Sequence, residues 1–242
     1  MMAEELPREV EIQTQKKAAP YLPISDWLNE LEAKRAKEFH RRTGLDYKTL
    51  LKQIIATADP HPGMHMLEVA AGSGMIARHL VGLLGREGKI IGVDSTKELL
   101  EQARLDAQSA KVGTRIEWRV APLTHLPFPK GEFDLVICGF GFNQIEAKDL
   151  FSEGHRVLKD EGALLLAAEV TSATSAGLAQ KMRHQYRRLL KRESEDAKPQ
   201  FYSSDELSEM LREAGFRQVV IRGLKSEATS ATREFSLIRA VK

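Results

Sequence analysis

At 242 residues the chain is longer than a typical domain, yet α/β units of this length fold as one body, and there is room for a sizeable core. Apolar residues at 42% and charged residues at 29% match ordinary globular proteins, which excludes wholesale disorder and fibrous repeats. A net charge of +2 provides no global attraction for nucleic acid, and a single cysteine excludes a disulfide scaffold.

Residues 1–10 carry three Glu and no apolar core of a secretory signal, and no apolar run reaches the roughly 20 residues that cross a bilayer. A cytoplasmic protein without integral membrane contact is expected. Residues 1–63 read as a helical arm: Pro20 and Pro23 end an irregular stretch, and helical patterns follow at Asp26 to Arg42 and Tyr47 to Ala58. So short a segment buries little core of its own, so the arm is expected to pack on the following domain, 64–242, or to lie as a lid over its ligand edge, with Tyr21 and Trp27 facing the ligand.

From Met64 onward, short apolar runs alternate with amphipathic stretches, the signature of β-α-β units and a mainly parallel sheet. Met66 to Ala70, Lys89 to Val93, Arg115 to Val120, Phe133 to Cys138, Ala163 to Val170, Arg217 to Ile221 and Glu234 to Val241 are seven candidate strands. Ile76 to Leu84, Thr96 to Ala110 and Ala147 to Leu158 form crossover helices. Ser203 to Glu206 offers an N-cap to a last helix that Ala214-Gly215 ends. Arg222 to Arg233 lacks a helical period, so the last two strands pair as an antiparallel hairpin. The expected fold is α/β: a Rossmann-like, seven-stranded, mainly parallel sheet with an antiparallel last strand and an N-terminal helical extension.

Met66 to Gly74 is a strand running into a small-residue turn and then a helix, a place where backbone can approach a ligand closely. Gly72, Gly74 and Ala77 fit the dinucleotide pattern, and Asp94, twenty residues after Gly74, stands where an acid takes ribose hydroxyls. Glu68 separates two cofactors. An acid beside the turn repels a pyrophosphate and attracts a ligand that carries an ammonium group. None of Tyr21, Tyr47, Tyr186 or Tyr202 is followed by Lys four residues later, so the catalytic pair of short-chain dehydrogenases is missing.

Glu68-Val-Ala-Ala-Gly-Ser-Gly74 resembles the first motif of class I S-adenosylmethionine-dependent methyltransferases, and Ile91-Gly-Val-Asp94 their second. Leu126 to Val136 is similar to the third motif, and Arg156 to Leu165 to the helix-turn-strand segment that follows. Gly139-Phe-Gly-Phe-Asn143 places the chain nearest to the ubiquinone/menaquinone biosynthesis methyltransferases. The resemblance implies S-adenosylmethionine as the methyl donor, with Glu68, Ala70, Ala71, Gly72, Ser73 and Gly74 around its methionine end. It places Asp94 at the ribose and Pro122 and Leu123 at the adenine, and counts Ser95 and Gly139 among the further residues that bind the donor. Ala70 replaces the first Gly of the family loop, and Pro122 stands where an Asp or Asn commonly reads the adenine amino group. Adenine then depends on the Leu123 backbone and apolar packing.

Open α/β sheets bind ligands at the carboxyl ends of their strands, which makes Asn143, Glu169 and Tyr186 the candidate catalytic groups. The leading expectation is methyl transfer to an oxygen or carbon of a small molecule. A basic stretch from Lys181 to Arg192 keeps an RNA methyltransferase as an alternative, although only Tyr186 interleaves it for stacking; a non-catalytic nucleoside-binding module is the other. Cys138 reads as a buried small hydrophobe. His61 and His65 have no companion ligands, so no metal is expected.

Overall fold

The computed structural model describes residues 36–37, 39–41, 44–171, 200–224 and 233–242. Eight strands form one sheet: β1 (His65–Val69), β2 (Lys89–Asp94), β3 (Ile116–Val120), β4 (Phe133–Cys138), β5 (Leu158–Thr171), β6 (Tyr202–Ser203), β7 (Gln218–Leu224) and β8 (Arg233–Val241). Five α-helices accompany them among the described residues: α1 (Tyr47–Ala58), α2 (Met75–Leu80), α3 (Lys97–Ser109), α4 (Ala147–Val157) and α5 (Ser204–Glu213). The sheet order is β3-β2-β1-β4-β5-β8-β7, with the two-residue β6 paired to β5. β1 to β5 run parallel, and β8 lies antiparallel to both β5 and β7, as the missing helical period between the last two runs predicts. The chain steps outward from β1 to β3 and then returns to β4, which opens a crevice above the carboxyl ends of β1 and β4.

Alternation along the strands gives the two faces of the sheet different partners. Met66, Leu135, Leu165 and Leu237 enter the apolar layer shared with α1 and α2, whereas Leu67, Val136, Leu164 and Ile238 enter the layer shared with α4 and α5. The same alternation puts Glu68 on the face of Met66, and Glu169 on the face of Leu165 and Ala167. Both acids therefore point to the side that carries α1 and α2.

Asp46 caps α1 by accepting the Thr49 N–H at 2.8 Å, and the helix buries Leu50, Leu51, Ile54 and Ile55 against the sheet. At roughly 1.5–3 kcal/mol for each such side chain, this burial makes α1 part of the core. α5 has the reciprocal capping box that Ser203 and Glu206 encode: the Glu206 N–H donates to Ser203 Oγ, and Glu206 Oε2 accepts the Ser203 N–H.

The largest departure from the expected boundaries is in β5. β5 begins at Leu158, where α4 ends, not at Ala163, because Leu158 already pairs with Phe133. Leu135 then pairs with Ala163, so the residues between form a bulge in which Glu161 takes a left-handed φ of 64°. Turn chemistry at Lys159 to Gly162 reads locally as a break, and only the cross-strand register shows that the strand continues past it.

Trp118 of β3 sits opposite Gly92 of β2, and its indole fills the space beneath Gly92 and Gly74. A Cβ on Gly92 would lie 2.3 Å from the ring, and one on Gly74 would lie 2.0 Å from it. Gly92→Ala is therefore expected to lower the unfolding free energy by about 1–3 kcal/mol in urea titration. In a Trp118→Leu background that penalty should shrink below about 1 kcal/mol, since the obstructing ring is gone; an unchanged penalty would remove Trp118 as its cause.

Candidate active site

The first motif folds as it does because three alternate backbone positions need left-handed φ: Ala70 (49°), Gly72 (54°) and Gly74 (68°). Ala70 is the one side chain among them that bears a Cβ in that region, at a cost of roughly 1–2 kcal/mol. Gly141 makes room for its methyl, since a Cβ there would come within 2.8 Å of it. The loop is then tied to the end of β2. The Ala71 N–H donates to the Val93 carbonyl at 3.0 Å, and the Gly72 N–H donates to Asp94 Oδ2 at 2.9 Å. Asp94 Oδ1 accepts the Thr96 N–H at 2.9 Å, so one carboxylate holds both loops that flank the crevice. Beneath the loop, the buried Arg78 donates to the Ser73 carbonyl and approaches Asp106 at 3.4 Å.

α2 starts at Gly74, which has no side chain with which to cap the helix. Glu68 does this from β1: its Oε2 accepts the Ala77 N–H at 2.9 Å. Glu68 is only 3% exposed. Burial disfavours its charged form and outweighs the Ala77 hydrogen bond and the attraction of Arg78, with Asp94 adding repulsion, so its pKa rises to about 8. Cys138, also buried, has its thiol pushed well above the ordinary range by the same desolvation.

A cavity of about 830 Å³ opens along this loop. Glu68, Ala70 to Ser73, Asp94, Ser95 and Leu123 line one half, together with Leu99 and Ile145. The other half is bounded by Glu169 and Asn143 at the end of the sheet and by a wall of aromatic rings. Phe39 and Tyr47 from the arm meet Phe140 and Phe235 there, with the Tyr47 and Phe140 rings stacked at 4.4 Å and Phe39 edge-on to the other three. A Cβ on Gly72 would meet nothing within 4 Å, so the loop backbone faces open cavity.

Most of the residues expected around a ligand are thus brought together. Gly74 is turned onto Trp118, and Gly139 lies against Ile76, where a Cβ would come within 2.2 Å of its Cδ1; neither lines the cavity. Pro122 is also outside the lining, and Leu123 reaches it. Asn143 lines the cavity with its side-chain amide committed to the backbone: Nδ2 donates to the carbonyls of Glu169 (3.0 Å) and Gln200 (2.7 Å), and Oδ1 accepts the Glu169 N–H (2.9 Å). Tyr186, the basic stretch Lys181 to Arg192, Tyr21 and Trp27 lie outside the described residues. Among the described residues no cluster of three or more His, Cys, Asp or Glu could hold a metal ion, and no helix is long and apolar enough to cross a membrane.

Sequence reasoning passed over the aromatic wall, Trp118 and Arg78. Phe140 lies inside a recognised segment, but Phe39, Tyr47 and Phe235 come from three distant parts of the chain and converge only in the fold. Trp118 could have been found from the strand pattern once its register opposite Gly92 was known.

Residues 67–166 match the model of a family described as a methyltransferase domain. Over that stretch the chain is similar to methyltransferase domains. Over 102 residues it is 32% identical to a ubiquinone/menaquinone biosynthesis C-methyltransferase of Citrifermentans bemidjiense, a match covering 42% of this chain and 43% of that one. Over 99 residues it is 36% identical to a 2-phytyl-1,4-naphtoquinone methyltransferase of Nostoc sp., covering 40% and 43%. The chain thus spans less than half the length of these curated relatives. The methyltransferase fold extends further than the sequence match. The YcgJ protein of Bacillus subtilis superimposes with a TM-score of 0.64 at 20% identity, covering 81% of this chain and 99% of that one. Geranyl diphosphate C-methyltransferase of Streptomyces coelicolor, solved with Mg2+, geranyl diphosphate and S-adenosyl-L-homocysteine, superimposes with a TM-score of 0.65 at 14% identity, covering 88% and 84%.

The buried acid makes the stability of the fold depend on pH. The folded-state pKa of Glu68 lies above its ordinary value of 4.5, so its contribution is complete below about pH 4.5 and is lost as pH rises through about 8. Urea titrations should therefore show stability falling between about pH 4.5 and about pH 8, by on the order of a few kcal/mol from this group, and levelling off above that. Glu68→Gln should flatten that slope; a variant with the wild-type slope would show that Glu68 does not cause it.

Proposed function

We propose that the chain transfers the methyl group of S-adenosylmethionine to an oxygen or carbon nucleophile of an apolar small molecule. The observation that carries this reading is one cavity with two differently equipped halves, an acidic pair beside an open backbone loop and a carboxyl under an aromatic wall. The first half suits the donor. Glu68 meets an α-ammonium, the backbone of Ala70 to Ser73 faces the carboxylate end, Asp94 and Ser95 take the ribose hydroxyls, and Leu99, Leu123 and Ile145 enclose the adenine. Pro122, Gly74 and Gly139 act from behind this lining. A pyrophosphate fits poorly, because the described cavity lining offers acids and no basic side chain to meet its charge.

The bound donor supplies an electrophilic methyl group on a sulfonium, whose electron pair returns to sulfur as the carbon-sulfur bond breaks. The protein's part is positioning. Holding acceptor and methyl carbon in line without water contributes ~7–11 kcal/mol, which explains how such a site works without a dedicated nucleophile. Glu169 is the group placed to take the proton that the acceptor loses as the new bond forms, a contribution of roughly 10²–10⁴-fold. Phe39, Tyr47, Phe140 and Phe235 provide the apolar contact surface for the acceptor. The relatives include a ubiquinone/menaquinone biosynthesis C-methyltransferase and a 2-phytyl-1,4-naphtoquinone methyltransferase, which supports an apolar ring or polyprenoid acceptor over RNA.

Calorimetry with S-adenosylhomocysteine tests the donor half. Asp94→Ala should weaken binding by about 10- to 100-fold, because the ribose contact and the tie to the Gly72 N–H are lost together. Unchanged affinity, or binding of NAD with no response to S-adenosylmethionine, would sink the proposal. Wild-type affinity should also rise with pH up to about 8 as Glu68 ionises, and Glu68→Gln should abolish that rise. Methyl uptake from labelled S-adenosylmethionine by naphthoquinol, catechol and an unstructured RNA then discriminates acceptors; transfer to RNA alone would overturn the small-molecule reading.

A further inference from the structure

β5 carries the proposed proton acceptor, yet at Glu169 it has run past the strand beside it. The last rung between β4 and β5 joins Cys138 to Leu166, and beyond it the chain of β4 turns away through Gly139 to Gly141. β6 takes up the same partnership only at Val170 and Thr171. Between these two pairings the backbone of Glu169 needs both an acceptor for its N–H and a donor for its carbonyl. The Asn143 side chain supplies both, with Oδ1 accepting the N–H at 2.9 Å and Nδ2 donating to the carbonyl at 3.0 Å. The second amide proton goes to the Gln200 carbonyl at 2.7 Å, and the Asn143 carbonyl accepts the Gln200 N–H at 2.6 Å. Gln200 is held again by its own side chain, which donates to Glu146 and accepts from the Tyr202 hydroxyl.

We infer that Asn143 is a positioning residue: its amide replaces the missing rung beside β5 and so fixes where the Glu169 carboxyl enters the acceptor half of the cavity. The inference rests on the reading that Glu169 takes the acceptor's proton. Only a primary carboxamide meets the requirement at this reach. It offers one acceptor and two donors in a plane, whereas Asp offers no proton when ionised and Ser is too short to span both backbone groups. The same amide fixes where the chain re-enters at Gln200, so the two backbones meeting at the acceptor side are set by one side chain.

Asn143→Asp is nearly isosteric and separates positioning from folding. Its ionised carboxylate can still accept the Glu169 N–H but faces two carbonyl oxygens where it must donate. With naphthoquinol or catechol as acceptor, kcat should fall about tenfold or more at about pH 8, while acceptor KM and the dissociation constant of S-adenosylhomocysteine stay within about twofold. As pH is lowered and the new carboxyl gains a proton that it can donate, the ratio of variant to wild-type kcat should climb; a ratio independent of pH overturns the inference. Glu169→Gln should lower kcat on its own, and adding Asn143→Asp should then cost about nothing more, because both act through one carboxyl. Additive losses, or a loss with Asn143→Asp and none with Glu169→Gln, overturn it. Full activity of Asn143→Asp overturns the inference and leaves the role of Glu169 standing, whereas lost S-adenosylhomocysteine binding by the wild type would fall on the donor reading. One arm needs no acceptor: in Asn143→Leu the Glu169 amide proton should exchange about tenfold or more faster than in the wild type, with β1 amides unchanged, and equal rates refute the rung.

Discussion

Everything at the cavity edge depends on holding Ala70 to Gly74 in a path with left-handed φ at Ala70, Gly72 and Gly74, its N–H groups at Ala71, Gly72 and Gly74 tied back into the protein. Such a path is unstable in isolation, and Ala70 makes it more so. It persists because it is clamped from two directions. Asp94 draws the Gly72 N–H toward β2, and Arg78 holds the Ser73 carbonyl from beneath, while the Trp118 indole occupies the space into which Gly74 and Gly92 would otherwise collapse. The loop glycines are thus required from below, by the ring, at least as strictly as from the ligand side. Gly74 shows this directly, since its own lining is Trp118 and not the cavity.

The charge at the site follows from the same construction. Ending α2 on a glycine leaves its first turn without a side-chain cap, and the acid that supplies the missing acceptor must come from inside the sheet. A carboxyl placed there is desolvated, and desolvation dominates its titration. The group that caps the helix is in this way kept ready to ionise when a cation arrives. The cap of α2 and the titration of the cavity wall are thus joined in one residue.

The end of the cavity below the aromatic rings is organised differently. It is closed by side chains from the arm, from the segment after β4 and from the last strand, whose rings pack edge-to-face into one wall. Its polar groups, Glu169 and Asn143, sit where one strand outruns its neighbour, a place where backbone hydrogen bonds must be completed by side chains or lost. Polar chemistry is available there because the ladder is interrupted.

Local spacing determined much of this protein. Short apolar runs alternating with amphipathic crossovers marked the strands and a mainly parallel sheet, and the lack of helical period before β8 marked the antiparallel hairpin. Small residues after β1, with Glu68 before them and Asp94 at the end of β2, marked the ligand loop, because those constraints act between residues near in sequence or at a fixed place in a β-α-β unit. Tertiary structure alone decided the rest. Cross-strand register placed Trp118 under two glycines and carried β5 through the bulge at Glu161. Burial set the ionisation of Glu68. Long-range packing brought Phe39, Tyr47, Phe140 and Phe235 together and turned Asn143 from a candidate reactive group into a backbone clamp. These depend on distances between residues far apart in the chain, and no local pattern of sequence encodes them.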